Sequence, residues 1–269
     1  MPNGDQKATP NSTIIEDNCL IPQPQIKNAK TASWRCKYPP PYFMLTVSIF
    51  ELLIFGVATK ENIQSLRFDP NKQKEIWRFV TYMLLHNNIF HILLNVVMQC
   101  LFAVILEKNQ GSVRVGILYF GSGVVGAITA SCLRPDLVVG ASAGVYALLI
   151  SHLSHIALNY NSTKYKIWNF VVVVIIVVSD ITYYFVHSRY KVNLIISEGA
   201  HVGGAVSGFL LGFILYKSDD KESKTRNKVM CWFALILFTI SIITLLIVNL
   251  QIQTCTPEHM IKVKYVYIC

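Results

Sequence analysis

Charged side chains are scarce in this sequence. Only 14% of its 269 residues are Asp, Glu, Lys or Arg, well below the ~25% of a soluble domain. Hydrophobic residues reach 53% and the mean hydropathy is +0.44. This composition excludes an ordinary soluble enzyme, and an aromatic content of 12% excludes a disordered chain. It indicates an all-α polytopic membrane protein, whose apolar helices cross the bilayer.

Glycine, proline and cysteine are also sparse. With 14 Gly and 10 Pro, the chain is neither collagen-like nor a proline-rich repeat. Its seven cysteines form no CxxC pair and no metal-ligand spacing, so we expect neither a metal nor a cofactor. Most of them are interpreted as small residues packed in the bundle or facing lipid. Palmitoylation of Cys36 and a disulfide between Cys255 and Cys269 are left open as alternatives.

Acidic residues are outnumbered by basic ones, 15 against 24, which gives a net charge of +9. In a membrane protein this excess is expected in cytoplasmic loops, next to anionic lipid head groups. It therefore indicates contact with the lipid bilayer and no nucleic-acid partner. With the N-terminus in the cytoplasm, 14 of the 24 basic residues fall on the cytoplasmic side. The positive-inside rule favours that orientation.

Seven apolar stretches define the expected membrane helices. Each is close to the ~20 residues that a helix needs to cross ~30 Å of hydrocarbon. The polar segment before them has no apolar core of the kind found in a signal peptide, so we expect the first stretch to be an uncleaved anchor. The stretches are 42–59, 88–107, 113–133, 142–159, 167–187, 198–216 and 229–250.

These stretches give a predicted domain layout. Residues 1–41 are polar and contain several prolines, which predicts a disordered cytoplasmic tail. Residues 42–216 form a six-span core, and residues 217–228 form a cytoplasmic loop. A seventh membrane helix follows over 229–250, and an extracytoplasmic tail over 251–269.

Several polar side chains occur inside the apolar stretches, where they are costly unless they are paired or functional. In span two, His91, Asn95 and Gln99 recur every fourth residue and share one helical face. Span four begins with Ser142, and span six carries His201 near its start. Spans two, four and six all run in the same direction through the membrane. The candidates therefore lie at a similar shallow depth near the outer surface, and we expect them to converge.

Small residues surround the candidates. Gly204 and Gly208 follow His201 at i+3 and i+7, a small-xxx-small pattern that allows another helix to approach closely. Gly140 lies two residues before the serine and leaves its approach unhindered. Tyr146 lies one helical turn after the serine, where its ring is expected to brace the histidine.

The chemistry that fits these residues is nucleophilic acyl transfer. A serine hydroxyl is a weak nucleophile, and a neutral imidazole within hydrogen-bonding reach activates it as a general base. Ser142 and His201 are the candidates for these roles. The tetrahedral oxyanion needs donors, which His91, Asn95 and the Ser142 backbone N–H are placed to provide.

Other interpretations were weighed for the same residues. Gly140-Ala-Ser142-Ala-Gly144 matches the nucleophile elbow of soluble hydrolases, but that motif requires a preceding strand and an α/β sheet. A lone serine among small residues is more often a helix-packing feature, and a lone membrane histidine is as often structural as functional. Glu51 and Asp180 are interpreted as structural, because neither lies on a helix that carries a candidate site residue.

Four motifs of this sequence resemble those of one known family, the rhomboid intramembrane serine proteases, over residues 42–250. They are Trp77-Arg78, the spacing His86…His91…Asn95, Gly140-Ala-Ser142-Ala-Gly-Val-Tyr146, and Ala200-His201-Val-Gly-Gly204-Ala-Val-Ser-Gly208.

The resemblance implies a rhomboid-like bundle with a serine–histidine dyad and no triad acid. Ser142 would be the nucleophile and His201 the general base, with Tyr146 stacked on the imidazole. His91 and Asn95 would complete the oxyanion hole. The other matching residues, including His86, Gly140, Gly204 and Gly208, would support the site. Trp77-Arg78 would help to anchor the first loop, and Glu107 with Gly111-Ser112 resembles the cytosolic end of span two.

The seventh span follows the six-span core, as in secretase-type rhomboids. This implies the secretory pathway, at the Golgi or plasma membrane, rather than the mitochondrion. The implied substrates are single-span membrane proteins with a helix-weak site near the outer face. Two alternatives are kept: a catalytically inactive relative that binds membrane clients, and a transporter or receptor with a polar cavity, which would need midplane acids and inverted repeats. Span five, 167–187, is the candidate for the helix that admits substrate.

The predicted orientation can be tested with the two glycosylation sequons, at Asn11 and Asn161. Both fall on the cytoplasmic side, where N-glycans are not added. We expect digestion with an N-glycosidase to leave the electrophoretic mobility of the protein unchanged. A mobility shift would contradict the orientation.

Overall fold

The computed structural model describes residues 41–163, 165–189, 197–218, 224–254, 261–263 and 266–268. The predicted N-terminal tail up to residue 40, with Cys36, lies outside the described residues, as do Cys255 and Cys269.

Helices dominate the described part of the chain, which confirms the predicted all-α polytopic class. Short 3-10 turns cover Pro70–Lys72 and Tyr82–Leu84, and a small antiparallel hairpin pairs β1 (Ile261–Val263) with β2 (Val266–Ile268). The helices are α1 (Tyr42–Val57), α2 (Lys60–Leu66), α3 (Arg78–Thr81), α4 (Ile89–Gln110), α5 (Ser112–Leu133), α6 (Ser142–Leu158), α7 (Lys166–Arg189), α8 (Glu198–Leu215) and α9 (Lys224–Thr254).

Each of the seven apolar stretches overlaps one of the long helices. Within the described residues, α4, α5, α8 and α9 are long and apolar enough to cross a membrane, and α1 and α6 are shorter apolar helices. Helix α9 extends beyond the predicted span 229–250 at both ends. No Gly or Pro occurs between Lys224 and Thr254 to interrupt it, so the helix continues into its polar flanks.

The segment 60–87 between the first two membrane helices is an ordered loop. Helices α2 and α3 form within it, and Phe68 pairs with Val138 in an isolated antiparallel bridge whose two N–H···O bonds are both 3.1 Å. Asn249 of α9 exchanges two side-chain hydrogen bonds with Gln73 of this loop, at 2.6 and 3.0 Å. Ser131 at the end of α5 also donates to Asn249 Oδ1 at 2.9 Å. The loop, the core and the last helix are therefore linked by polar side chains.

Helices α6 and α8 approach each other closely at glycines. A Cβ on Gly204 would overlap the backbone carbonyl of Ala143, and one on Gly208 would overlap Ala147. Close backbone approach at small residues replaces the hydrophobic drive that helices lack in lipid. This contact fixes the position of His201, three residues before Gly204, relative to the start of α6.

Two buried acids connect α1 to its neighbours. Glu107 accepts hydrogen bonds from the Phe43 and Met44 N–H groups at 3.0 and 3.1 Å, at the start of α1. It also accepts one from Ser112 Oγ at 2.5 Å. The carboxylate therefore joins α1 to the turn between α4 and α5, where Gly111 has φ +87°.

Glu51 lies at the centre of a second buried cluster. Gln99 Nε2 and the Tyr119 hydroxyl both donate to Glu51 Oε1 at 2.9 Å, and Ser48 Oγ donates to Gln99 Oε1 at 2.9 Å. These groups come from α1, α4 and α5. Their mutual hydrogen bonding supports the interpretation of Glu51 as a structural acid.

The α6–α8 contact predicts that replacing a glycine inside the contact destabilises the protein, whereas replacing one outside it does not. Gly208→Ala should lower the free energy of unfolding by about 1–3 kcal/mol, because the added methyl group displaces the α6 backbone. Gly56→Ala is the matched control, since nothing lies within 4 Å of a Cβ at that position. Thermal denaturation of both variants in detergent measures the difference. Equal stability of the two variants would contradict the contact.

Candidate active site

The turn before α6 presents Ser142. Gly140 has φ +118°, a conformation that L side chains rarely adopt, and its N–H donates to the Tyr82 carbonyl at 2.9 Å. The turn reverses the chain so that α6 begins at Ser142 itself. The hydroxyl therefore lies at the N-terminal end of a helix, where the helix dipole favours developing negative charge.

Ser142 and His201 are brought together across the α6–α8 contact. His201 Nε2 lies 2.8 Å from Ser142 Oγ, a hydrogen-bonding distance. The histidine side chain is only 13% exposed, and the serine is half-buried. A nucleophile and a base within hydrogen-bonding reach form the basic unit of serine-based acyl transfer.

Tyr146 packs flat against the imidazole of His201. The ring centroids are 4.4 Å apart and the planes differ by 22°. Tyr146 lies one turn after Ser142 on α6, so a single helix carries both the nucleophile and the ring that holds the base. The stacked ring restricts rotation of the imidazole about χ2 and keeps Nε2 directed at the serine.

Asp180 of α7, which the sequence indicated as a structural acid, lies next to the imidazole of His201. Its carboxylate Oδ2 lies 3.8 Å from His201 Nδ1, and it also lies within interaction distance of the Tyr146 hydroxyl. It was set apart from the site because α7 carried no candidate residue. The available signal was an acid in the second half of an otherwise Val- and Ile-rich membrane helix.

His91 and Asn95 lie on the face of α4 that reaches the Gly140 turn. A Cβ on Gly140 would lie 2.6 and 2.8 Å from His91 Cε1 and Nε2, so the missing side chain makes room for the imidazole. Asn95 is buried, and its Nδ2 donates to the His91 carbonyl at 2.8 Å. That nitrogen carries two protons, so one remains available for another acceptor.

His86 supports the serine turn from the segment before α4. The Ala141 N–H donates to His86 Nε2 at 3.5 Å, and the His86 ring lies edge-on to His91 with centroids 5.1 Å apart. Burial, together with the charge of His91, lowers the pKa of His86 to about 3. The ring is therefore neutral at physiological pH and can accept the bond from Ala141.

Trp77 and Arg78 organise the loop between α1 and α4. The Arg78 side chain is 4% exposed and its Nη1 donates to the Gln64 and Arg67 carbonyls at 2.8 Å. The exposed Trp77 donates through Nε1 to the Ser65 carbonyl at 3.3 Å. Both side chains therefore stabilise the fold of this loop. Among the other predicted support residues, Gly204 and Gly208 allow α8 to pack closely against α6.

Fold and site together define a polytopic helical membrane protein with a serine–histidine pair inside the bundle. The rhomboid domain family model matches residues 73–218. The chain belongs to the rhomboid family and is an integral membrane protein.

Similar proteins include Rhomboid-related protein 3 of Homo sapiens, 30% identical over 225 residues that cover 76% of this chain and 55% of the relative. Rhomboid-related protein 2 of Mus musculus is 29% identical over 226 residues, which cover 77% of this chain and 74% of the relative. Inactive rhomboid-related protein 2 of Caenorhabditis elegans is 30% identical over 214 residues, which cover 74% of this chain and 60% of the relative. The chain thus spans about half the length of the human relative.

The contacts of Arg78 predict how the first loop responds to mutation. Arg78→Ala should leave the Gln64 and Arg67 carbonyls without their donor, at a cost of about 1–3 kcal/mol. The open population of the loop then rises about fivefold to 150-fold, which limited proteolysis of the folded protein measures as faster cleavage within 60–75. Arg134→Ala, which removes an exposed guanidinium, should leave that rate unchanged. Unchanged cleavage in Arg78→Ala would show that the guanidinium does not hold the loop.

Proposed function

We propose that this protein is an intramembrane serine endopeptidase. It cleaves single-span membrane proteins within or next to their transmembrane segment, using Ser142 as nucleophile and His201 as general base. The observation that carries the proposal is the 2.8 Å distance between His201 Nε2 and Ser142 Oγ inside a helix bundle. The rhomboid relatives support it.

Acylation begins when Ser142 Oγ attacks the scissile carbonyl carbon and its proton passes to His201 Nε2. The tetrahedral intermediate collapses, and the imidazolium returns the proton to the leaving amine. Ser142 then carries the new N-terminal fragment of the substrate as an ester. Water, deprotonated by His201, attacks this ester to form a second tetrahedral intermediate. As it collapses, the imidazolium gives its proton to Ser142 Oγ, which releases the carboxylic acid product and restores the free hydroxyl.

The oxyanion is stabilised by donors around the Gly140 turn. The Ser142 N–H lies in the first turn of α6, where backbone N–H groups have no intrahelical acceptor. His91 lies against Gly140, and Asn95 Nδ2 retains one proton beyond its bond to the His91 carbonyl. Fixed donors of this kind act strongly because they need no reorientation when the charge develops.

The proposed substrates follow from the orientation of the helices, and the proposed location from the seventh helix, which follows the six-span core. With the N-terminus in the cytoplasm, Ser142 and His201 lie in the outer part of the bilayer. A substrate helix must unwind there to expose a carbonyl, so sites with weak helix formers are preferred. The proposed location is the secretory pathway, at the Golgi or plasma membrane rather than the mitochondrion.

A second candidate function is client binding without cleavage. The similarity to a protein named Inactive rhomboid-related protein 2 favours it. Its weakness is that this chain retains both the serine and the histidine, within hydrogen-bonding distance of each other. A binding protein has no need of that pair.

Replacing the nucleophile separates the two functions. Ser142→Ala should lower cleavage of a co-expressed single-span reporter by about a thousandfold or more, because the variant lacks the hydroxyl that forms the acyl ester. Labelling of the membrane protein by a fluorophosphonate should disappear in the same variant. Immunoblots of the released reporter fragment and in-gel fluorescence are the measurements.

Ser151→Ala is the matched control, since this serine also lies on α6 but bonds to the Tyr216 hydroxyl at 2.8 Å. It should retain both labelling and cleavage. Full cleavage by Ser142→Ala would refute the protease assignment. If wild type and Ser142→Ala instead bind the reporter equally and neither cleaves it, client binding is the function.

A further inference from the structure

The imidazole of His201 is contacted from two other helices. Ser142 Oγ lies 2.8 Å from Nε2, and Tyr146 is stacked on the ring face, both from α6. Asp180 Oδ2 lies 3.8 Å from Nδ1, on the opposite edge of the ring, and comes from α7. Each polar atom of the base therefore faces a polar group of different chemistry.

We propose that Asp180 is a positioning residue for His201. Its carboxylate favours the tautomer with the proton on Nδ1, which leaves the Nε2 lone pair for the Ser142 hydroxyl, and it stabilises the imidazolium that forms during attack. The inference rests on the proposed protease function and extends it beyond a bare dyad.

The charge of Asp180 explains the preference between tautomers. A neutral imidazole carries one proton, on either Nδ1 or Nε2. An anion near Nδ1 attracts a proton at that position and repels a lone pair. The tautomer with Nδ1–H is also the one in which Nε2 accepts a proton from the serine, so the carboxylate favours the form that catalysis requires.

The distance and exposure set the size of the effect. At 3.8 Å the pair is longer than a hydrogen bond but within ion-pair range, so the carboxylate acts through its charge. Asp180 is 39% exposed, unlike the buried acid of a serine–histidine–aspartate triad. In a triad with a buried, hydrogen-bonded Asp the corresponding loss is about ten-thousandfold. We therefore expect a smaller loss here, of about tenfold to a hundredfold.

Of the three residues that contact the His201 imidazole, Asp180 lies on α7. Ser142 and Tyr146 are held on α6, whose contact with α8 is fixed by glycines. The Asp180 contact exists only while α7 lies beside the site. Titratable groups that interact with His201 also include His91 of α4 and Tyr146 of α6. Neither of these side chains is an acid, whereas Asp180 of α7 brings a carboxylate to the imidazole.

The test compares Asp180→Asn, which keeps the shape and removes the charge, with Asp180→Glu, which keeps the charge. Asp136→Asn is the matched control, because it removes an exposed carboxylate that pairs with Arg134. Reporter cleavage is measured against pH in detergent or vesicles. For Asp180→Asn we expect kcat to fall about tenfold to a hundredfold with KM within about threefold of wild type, and Asp180→Glu to recover most of the loss.

The pH profile provides a readout that a merely structural role would not move. Without the carboxylate the imidazolium is less stable and forms only at lower pH. The acid limb of the kcat profile should therefore move to lower pH in Asp180→Asn and stay in place in Asp136→Asn. A uniform loss of rate, with an unmoved acid limb and no recovery in Asp180→Glu, would overturn the inference.

A third readout does not require cleavage. In protein labelled with ¹⁵N-histidine, signals of His201 are assigned by their loss in His201→Gln. We expect the fraction of the Nδ1–H tautomer to fall in Asp180→Asn and to be retained in Asp180→Glu. An unchanged tautomer ratio would overturn the inference even if Asp180→Asn has lost stability.

The outcomes keep the two proposals distinguishable. If wild type cleaves and Asp180→Asn matches it in rate and pH profile, the role of Asp180 is refuted while the protease function stands. If wild type neither cleaves nor reacts with fluorophosphonate at Ser142, the protease function fails. The tautomer measurement then decides whether Asp180 orients His201.

Discussion

The close approach of α6 to α8 at Gly204 and Gly208 is the contact on which the site depends. In lipid, apolar side chains gain little by leaving one apolar surrounding for another, so backbone proximity must hold the helices together. Here the glycines allow one helix backbone to lie against the other. That contact places a histidine of α8 within 2.8 Å of the first residue of α6. A side chain at either glycine would separate the nucleophile from its base.

Two buried acids elsewhere in the bundle hydrogen-bond to neighbouring helices, since an unpaired polar group is costly in a medium without water. Glu107 joins the start of α1 to the turn after α4, and Glu51 gathers donors from α4 and α5. Both acids fix α1 against its neighbours, and one of these, α4, carries His91 next to Gly140.

Much of this arrangement can be predicted from sequence patterns, because the length and hydropathy of an apolar stretch indicate a membrane helix. Helix direction then places Ser142, His201 and His91 at similar depths, and small residues at i+3 and i+7 indicate which face of α8 packs. The contact of Asp180 with His201 could not be predicted in this way, since α7 runs in the opposite direction to the helices that carry Ser142, His201 and His91. Its place at the imidazole depends on how α7 packs against α6, which no local pattern specifies. The order of the loop 60–87 likewise depends on non-local contacts, since Arg78 donates to the Gln64 and Arg67 carbonyls.

The pair formed by Gln73 and Asn249 has a consequence for biosynthesis. The two residues are 176 positions apart, so their bonds form only after the ribosome has completed α9. Helices made earlier insert and pack while the chain is still growing. The loop after α1 is therefore made well before its partner and gains these bonds only once α9 has been made. The link between them is a late, long-range contact among the described helices.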